Sequence, residues 1–267
     1  MKAKDLMEGI FSWCNDNGVQ DYSNTCDTVK TGNPEKDIRK VAVAMTATVA
    51  VLRDAVRWGA DLLIVHEPTF YDHFDRIKED DPVVSAKLQL IRDGELIIWR
   101  YHDHPHNKHL DMIHEGFAEK FDLKGTWKYS GSFGKSRFIL DTEITPETLA
   151  ERFFKGGAKH LRVCGNLKEP GKKISFCLGA PGEIFEELCD PEVEIVISGE
   201  ACEWMEGEYA RDAAELGMKK TLMILGHIPS EKEGMVLLAE MISKQYPDLD
   251  IKYFDCGEIC SSVNFTE

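Results

Sequence analysis

Apolar segments of strand length alternate with helical patterns along most of this chain, and this alternation restricts its fold more than any other feature. "KVAVAMTAT" (40–48) predicts a buried strand, "VAVLRDAVRWG" (49–59) a helix ending at Gly59, and "DLLIVHEP" (61–68) a second buried strand ending at Pro68. Apolar strands separated by helices are typical of sheets covered on both faces. The sequence therefore predicts an α/β fold, three-layered, with central mixed sheets.

The same alternation continues to the C-terminal end of the sequence and predicts two related α/β lobes packed as a single compact unit. We expect the first lobe to cover residues 1–125 and the second 126–267, with a smaller middle segment at about 126–190. In the first lobe the remaining predicted elements are an N-terminal amphipathic helix, a helix over 83–93, the strand "ELIIWRYHDH" (95–104) and a helix over 110–121. In the second lobe the predicted helices are one capped by Thr145 with Pro146 first, and those over 209–217 and 231–245. Its predicted strands are "RFILDTEI", those over 161–165, 173–178, 193–200 and 220–227, and "DIKYFD".

Composition excludes several classes of partner. With 32 basic and 47 acidic residues the formal charge is −15, which disfavours nucleic acid and anionic lipid surfaces. No apolar run approaches the roughly 20 residues of a membrane span, and the N-terminal segment lacks the apolar block of a signal peptide. The eight cysteines form no Cys-x-x-Cys pair and are expected to be reduced. We therefore expect a cytoplasmic protein.

Two segments of the chain resemble each other in a way that bears on function. "LRDAVRWGADLLIVHEPT" and "ARDAAELGMKKTLMILGHIPS" share Arg-Asp-Ala, a following Gly, an apolar strand and then His-x-Pro before a hydroxyl residue. His66 and His227 therefore occupy equivalent strand ends. In α/β proteins ligand sites gather at the carboxyl ends of strands, so both histidines are candidate site residues.

Each of these histidines has a carboxylate nearby in the sequence. His66 precedes Glu67, and adjacent strand residues point to opposite faces, so both serve only if the chain turns or if two metals are held. In "GHIPSE", His227 and Glu231 are four residues apart, a donor mixture that suits Zn, Fe, Mn or Co. Taken singly, His66 is better explained as a histidine hydrogen-bonded to a loop, and Glu231 is explained equally well as an acid in the first turn of a helix.

A third cluster is the run "RYHDHPHNKH", which holds four of the nine histidines. With a strand's period of two, His102, His104 and His106 face one side and Asp103 the other, and Pro105 limits the strand to about that point. A surface group of imidazoles is the alternative explanation. If the three clusters meet at one end of the sheet, they supply about six nitrogen and oxygen donors, enough for a two-metal site. His73, His109, His114 and His160 are expected to lie outside this set.

These segments together resemble the Nif-three-like dinuclear metal-centre family, also known as GTP cyclohydrolase I type 2 homologues. The likeness extends from about residue 20 to 255 and is carried by the segment ending in "DLLIVHEPTFY", the histidine-rich run, "SGE" at 198–200 and "GHIPSE". The family pattern has His-His-Pro after its second strand, His-x-x-x-Asp later, and Gly-His-x-x-x-Glu near the C-terminus. The last of these is intact as Gly226, His227 and Glu231, and the first survives as His66 with Pro68.

The sequence departs from the family pattern at two ligand positions. Glu67 stands where the family has its second histidine, and the register of Trp99 to His106 places His102 on the family's histidine and His106 on its aspartate. A register slipped by two makes His104 the ligand, and Asp103 is an alternative source of the carboxylate. The number of nitrogen and oxygen donors is unchanged, so a metal pair stays feasible.

The resemblance implies a homohexamer, a trimer of dimers, with two divalent ions in each subunit facing an internal cavity. The first functional hypothesis is a metal-dependent hydrolase of an unidentified small molecule, with Glu200 or Glu203 as base or substrate contact. The alternative is a non-enzymatic metal-binding assembly or chaperone-like interaction protein, and an oxidative metal enzyme is a third. An enzyme keeps open coordination positions, whereas a structural site is closed by protein ligands.

Overall fold

Two β-sheets organise the protein, as the alternation of strands and helices predicts. The computed structural model describes residues 1–14, 22–107, 110–128 and 135–261. Its helices are α1 Ala3–Ser12, α2 Val49–Trp58, α3 Pro82–Asp93, α4 Asp103–His106, α5 Met112–Lys120, α6 Pro146–Lys155, α7 Ile184–Cys189, α8 Glu208–Glu215 and α9 His227–Gln245, with a π-helical segment at Glu203–Gly207. Its strands are β1 Val29–Thr31, β2 Lys40–Ala44, β3 Leu62–Val65, β4 Ile97–Arg100, β5 Gly125–Lys128, β6 Ser136–Ile144, β7 Arg162–Gly165, β8 Gly171–Cys177, β9 Ile195–Ser198, β10 Thr221–Ile224 and β11 Asp250–Tyr253.

The described residues divide into two compact units. The first is drawn from Met1–His109 and Met235–Cys256, and the second from Leu110–Gly234 and Gly257–Glu267. Residues 235–256, which include the C-terminal part of α9 and all of β11, thus belong with the N-terminal half of the chain.

The first unit contains a five-stranded sheet with the order β1-β4-β3-β2-β11. Strands β4, β3, β2 and β11 run parallel, and β1 is antiparallel to β4 at the edge. One face packs on α2 and α3 through a buried apolar cluster that includes Leu63, Leu52 and Leu88. On the other face Phe11 of α1 meets Trp99 edge-on at 5.2 Å. Helices on both faces explain why these strands are apolar throughout, and they confirm the predicted three-layer α/β arrangement.

The second unit contains a six-stranded mixed sheet with the order β5-β6-β8-β9-β10-β7. Strands β8, β9 and β10 are parallel, and the outer strands pair antiparallel. Buried side chains of these parallel strands pack on α7 and α8. On the opposite face Phe176 contacts Phe117 of α5, which in turn contacts Phe153 of α6. The predicted helix start is also confirmed, since Thr145 caps α6 and Pro146 follows it.

Two predicted boundaries are wrong, and both lie beside candidate site residues. The predicted strand over 95–104 ends at Arg100, and residues 103–106 form the short helix α4. The predicted helix over 231–245 begins four residues earlier, so that His227 is its first residue. Pro105 stands at the third position of α4, where its missing amide costs no hydrogen bond, so it is compatible with the helical turn.

A membrane-spanning helix is absent from the part of the chain that the structure describes, because none of its helices joins sufficient length to sufficient hydrophobicity. Three of the eight cysteines, Cys14, Cys26 and Cys177, are buried.

The C-terminal end of α2 offers a test of backbone conformation. Gly59 has a left-handed φ of 80° and no atom within 4 Å of the place that a Cβ would occupy, whereas Gly182 has equal space and no positive φ. We expect Gly59→Ala to lower the free energy of unfolding by about 1 kcal/mol, since an L side chain is strained there. Gly182→Ala should leave stability unchanged or raise it slightly. Urea denaturation measures both, and equal losses would contradict this account of Gly59.

Candidate metal centre

In the first unit, candidate ligands are brought together because two parallel strands end side by side. β3 and β4 pair in parallel, with Val65 opposite Arg100, and the Tyr101 amide continues the pairing by donating to the Val65 carbonyl at 2.8 Å. His66 follows the first strand and His102 follows the second. Their imidazole rings consequently lie 4.5 Å apart, centroid to centroid.

Three imidazoles meet at this edge of the sheet. His66, His102 and His106 each offer one ring nitrogen, and these nitrogens all lie within 4.8 Å of one another. The Nε2 atoms of His66 and His106 are 3.1 Å apart. Three neutral imidazoles at this spacing fit one divalent transition-metal ion, since three protein ligands with an open fourth position are typical of catalytic zinc sites.

His66 is held in the form that binds metals. Its ring is completely buried, and Nδ1 lies 3.0 Å from the Tyr101 carbonyl oxygen, which can only accept. The proton is therefore on Nδ1, and Nε2 carries the lone pair that faces His106. Burial, and then the neighbouring His102 and His106, hold the pKa of His66 well below its usual value. The ring consequently stays neutral at physiological pH.

The helical turn α4 aims the other two histidines. Asp27 accepts hydrogen bonds from three successive amides, those of His102 at 2.6 Å and of Asp103 and His104 at 2.9 Å each. A carboxylate in this position stabilises the start of a helix. Residues four apart share a helix face, so the turn places His102 and His106 on the same side.

His104 points away from this cluster, which differs from the strand-based expectation of three aligned histidines. Its Nδ1 lies 2.6 Å from Asp27, and its ring stacks on Tyr22 at 3.7 Å and lies 4.1 Å from Phe11. The period of two fails because the chain is helical here. His104 contributes to the packing that anchors α4.

Asp103 faces His102 together with a cysteine that sequence reasoning missed. His102 Nδ1 lies 2.9 Å from Asp103 Oδ1, and the Cys26 thiol lies 3.4 Å from the same oxygen. Burial acts to raise the pKa of Asp103, but the hydrogen bonds from His102, Thr25 and Cys26 outweigh it and hold that pKa below its usual range. Burial raises the pKa of the Cys26 thiol. Because Cys26 and Asp27 are some 75 residues away in sequence, no local pattern links them to this site.

The loop after β3 is fixed by two buried cations. Arg100 is 1% exposed, and its Nε donates to the His66 carbonyl at 2.9 Å while Nη1 donates to the carbonyl of His73. Glu67 lies 3.8 Å from the Arg100 guanidinium. Lys87 Nζ donates to the Thr69 carbonyl at 2.5 Å. Glu67 also offers a carboxylate oxygen within 4.8 Å of the ligand nitrogen of His66.

In the second unit the predicted pair His227 and Glu231 does come together, on the first turns of α9. His227 Nε2 lies 3.1 Å from Glu231, and its Nδ1 lies 2.7 Å from Glu200. Glu231 is 3% exposed, and a Cβ added to Gly179 would fall 2.2 Å from its Oε1. Glycine at 179 therefore leaves the room that this carboxylate occupies. Ser230 accepts from the Gly179 amide at 3.0 Å and fixes the same junction.

A cavity of about 420 Å³ lies beside His227 in the second unit. Its polar lining residues are His160, Arg162, Glu200, His227 and Glu258. Glu203 lies outside the lining and pairs with Arg162.

The four histidines expected to lie outside the site differ in their surroundings, and His114, with Asp111, belongs to a group of donors that could hold a metal ion. His73 is exposed, buried His114 contacts Ser136 at 2.8 Å, and His160 lies 3.2 Å from Glu258. His109 lies outside the described residues.

Comparisons with known proteins agree with the fold and with the family resemblance. A family model for Duf34/NIF3 (NGG1p interacting factor 3) matches residues 1–257. A "GTP cyclohydrolase 1 type 2 homolog" of Borreliella burgdorferi is 25% identical over 99% of this chain and 100% of its own length. A protein of the same name from Halobacterium salinarum is 30% identical over 81% of this chain and 85% of its own.

Solved structures show the same fold. Protein ybgI, described as of unknown function, superimposes with a TM-score of 0.81 at 20% identity, covering 97% of this chain and 100% of its own. Reduced HcgD from Methanocaldococcus jannaschii gives 0.73 at 21% identity, covering 95% and 97%. These solved structures thus share the two-sheet α/β fold of this chain. The chain belongs to the Duf34/NIF3 family.

The buried Lys87 gives the loop after β3 a pH-dependent stability. Burial, opposed in part by Asp75, lowers the pKa of Lys87 to about 8, against about 10.4 in an unfolded chain. Between these values the unfolded state binds more protons, so stability rises with pH. We expect wild type to gain up to about 3 kcal/mol over Lys87→Met as pH rises from about 8 to 10.5.

Urea denaturation of both proteins across this pH range measures the difference. Lys155→Met, on the exposed surface of α6, is the matched control and should run parallel to wild type. Parallel curves for wild type and Lys87→Met would show that Lys87 is not the titrating group.

Proposed function

We propose that this protein binds two divalent metal ions per subunit, each a zinc, iron, manganese or cobalt ion, and hydrolyses a small molecule through a metal-activated water. The convergence of the His66, His102 and His106 nitrogens within 4.8 Å supports this proposal most strongly. His66, His102 and His106 would hold such an ion, which would supply a water activated as a nucleophile at neutral pH.

Each unit contributes its own ligands in this proposal. His66, His102 and His106 hold one ion in the first unit, and Glu67 offers an additional carboxylate there. His227 and Glu231, whose donor atoms are 3.1 Å apart, would supply further ligands for the metal pair. His104, whose Nδ1 is engaged by Asp27, keeps α4 in place.

Two glutamates serve the second unit's site through different contacts. His227 Nδ1 lies 2.7 Å from Glu200, and His227 Nε2 lies 3.1 Å from Glu231. Carboxylates commonly orient metal-binding histidines in this way. Because Glu200 also lines the cavity, it is placed to contact a substrate there. Glu203 holds Arg162, so that the guanidinium on the cavity wall is partly neutralised.

A homohexamer, as a trimer of dimers, is the assembly we propose from the family resemblance. The exposed side chains of Trp204, Leu216 and Phe154, which are 77%, 74% and 62% exposed, are apolar surface of the kind that self-association covers. Light scattering of the purified protein tests this directly, and a monomer at all concentrations would contradict it.

The metal proposal predicts losses of bound metal. Anaerobic purification followed by elemental analysis should find about two divalent ions per wild-type chain. His66→Ala and Glu231→Ala each remove a proposed ligand and should each lower the metal content to about one ion or less per chain, while His73→Ala should leave both ions. Wild-type protein with no stoichiometric metal after growth in metal-supplemented medium would contradict the proposal.

Hydrolysis is tested separately from binding. Assays should begin with ring hydrolysis of GTP, to which the relatives' name points, and include phosphate esters and cyclic amides. His66→Ala should lower kcat/KM by about 100-fold or more, as expected for a lost activated nucleophile. Stoichiometric metal without turnover of any substrate class would instead favour the non-enzymatic metal-binding protein.

A further inference from the structure

Cys26, Asp103 and His102 form a second donor cluster in the first unit. The Cys26 sulfur, an Asp103 carboxylate oxygen and a His102 ring nitrogen all lie within 4.8 Å of one another. None of the family ligand positions noted in the sequence includes Cys26. The cluster thus combines one sulfur, one oxygen and one nitrogen donor, which is a different chemistry from that of three imidazoles.

The carboxylate in this cluster is oriented by contacts on its far side. Asp103 Oδ2 accepts from the Thr25 hydroxyl at 2.8 Å and from the Cys26 amide at 3.0 Å. Asp103 Oδ1 is left to face the Cys26 thiol at 3.4 Å and His102 Nδ1 at 2.9 Å. One oxygen is therefore anchored, while the other points to the place where the sulfur and the nitrogen meet.

The surroundings of the cluster are suited to a cation. Cys26 is 1% exposed, whereas the side chains of His102 and Asp103 are 17% and 19% exposed, so one side remains open to water ligands. Asp27, 3.7 Å from the Cys26 sulfur, adds a carboxylate that lies beside the cluster. The charge of Arg100 favours the Cys26 thiolate and so partly offsets the effect of burial on the pKa of that thiol, while the guanidinium donates to the carbonyls of His66 and His73.

We propose that Cys26, Asp103 and His102 Nδ1 form a thiolate-containing site for a borderline or soft divalent ion such as Zn²⁺, Co²⁺ or Cd²⁺. On binding, the Cys26 S–H bond breaks and its proton passes to solvent, while the thiolate forms the bond to the metal. The Nδ1 proton of His102 moves to Nε2 through solvent, so the ring stays neutral. Hard ions such as Mg²⁺ and Ca²⁺ are disfavoured by the sulfur ligand.

His102 links this site to the three-histidine cluster. A neutral imidazole has one lone pair, so His102 serves either the Cys26 site through Nδ1 or the other cluster through Nε2. Filling the Cys26 site therefore weakens the three-histidine site, and removing His66 leaves the Cys26 site intact.

Cobalt titration of the chelated, reduced protein tests the site, because thiolate ligands produce a near-ultraviolet charge-transfer band. Wild type should develop this band and saturate it at about one equivalent, with Zn²⁺ abolishing it by competition. Cys26→Ser should lose the band. Cys256→Ser, which removes a partly buried thiol of the same unit, should keep it.

Two further variants make the outcome decisive. Asp103→Asn should weaken Co²⁺ binding by about 10-fold or more but keep the charge-transfer band, because Cys26 still supplies the sulfur ligand. His66→Ala should retain the band even though it loses the ion of the proposed hydrolytic centre, so the two proposals fail independently. Circular dichroism melts check folding, and Cys26→Ala replaces Cys26→Ser if the latter unfolds. The absence of a band in wild type, or its persistence in the folded Cys26 variant, would overturn the proposal.

Discussion

The candidate site of the first unit depends on the hydrogen bonds that the Asp27 carboxylate accepts. It accepts hydrogen bonds from the amides of residues 102–104 and lies 2.6 Å from His104 Nδ1. Removing a carboxylate that satisfies several amides leaves buried donors without partners, which costs more than a single hydrogen bond contributes. The carboxylate turns the chain from strand to helix directly after β4, and the imidazoles of His102 and His106 come to face His66 as a result.

Parallel strand pairing supplies the rest of the geometry. The carboxyl ends of β3 and β4 lie next to each other, and His66 and His102 follow them within two residues. Arg100, buried at the end of β4, ties the loop after β3 back to the same edge. The same arrangement recurs in the second unit after β10, where helix α9 begins at His227 and Glu231 lies one turn further along it. In both units the histidine follows a parallel strand, as the internal similarity of the sequence indicates.

Much of the fold is predictable because its signals are local. The apolar strands, the cap at Thr145, Pro146 and the helix end at Gly59 each follow from a few neighbouring residues. The run after Trp99 is harder to interpret, because a strand and a short helix place its histidines differently. The period of two aligns His104 with His102 and His106, whereas a helical turn separates it from them. Asp27, whose hydrogen bonds favour the helical turn, is distant in sequence, so the residues around the histidines do not indicate its contribution.

The sequence by itself determined the α/β class, the membership of the NIF3 family and the placing of histidines at the ends of core strands, since these depend on hydrophobic periodicity and on motif spacing. Only the tertiary structure decided which donors meet. It turned His104 toward Tyr22, brought Cys26 against Asp103 and gave Glu231 its place beside Gly179. The physical reason is that side-chain direction depends on backbone conformation, and here contacts between distant segments set that conformation.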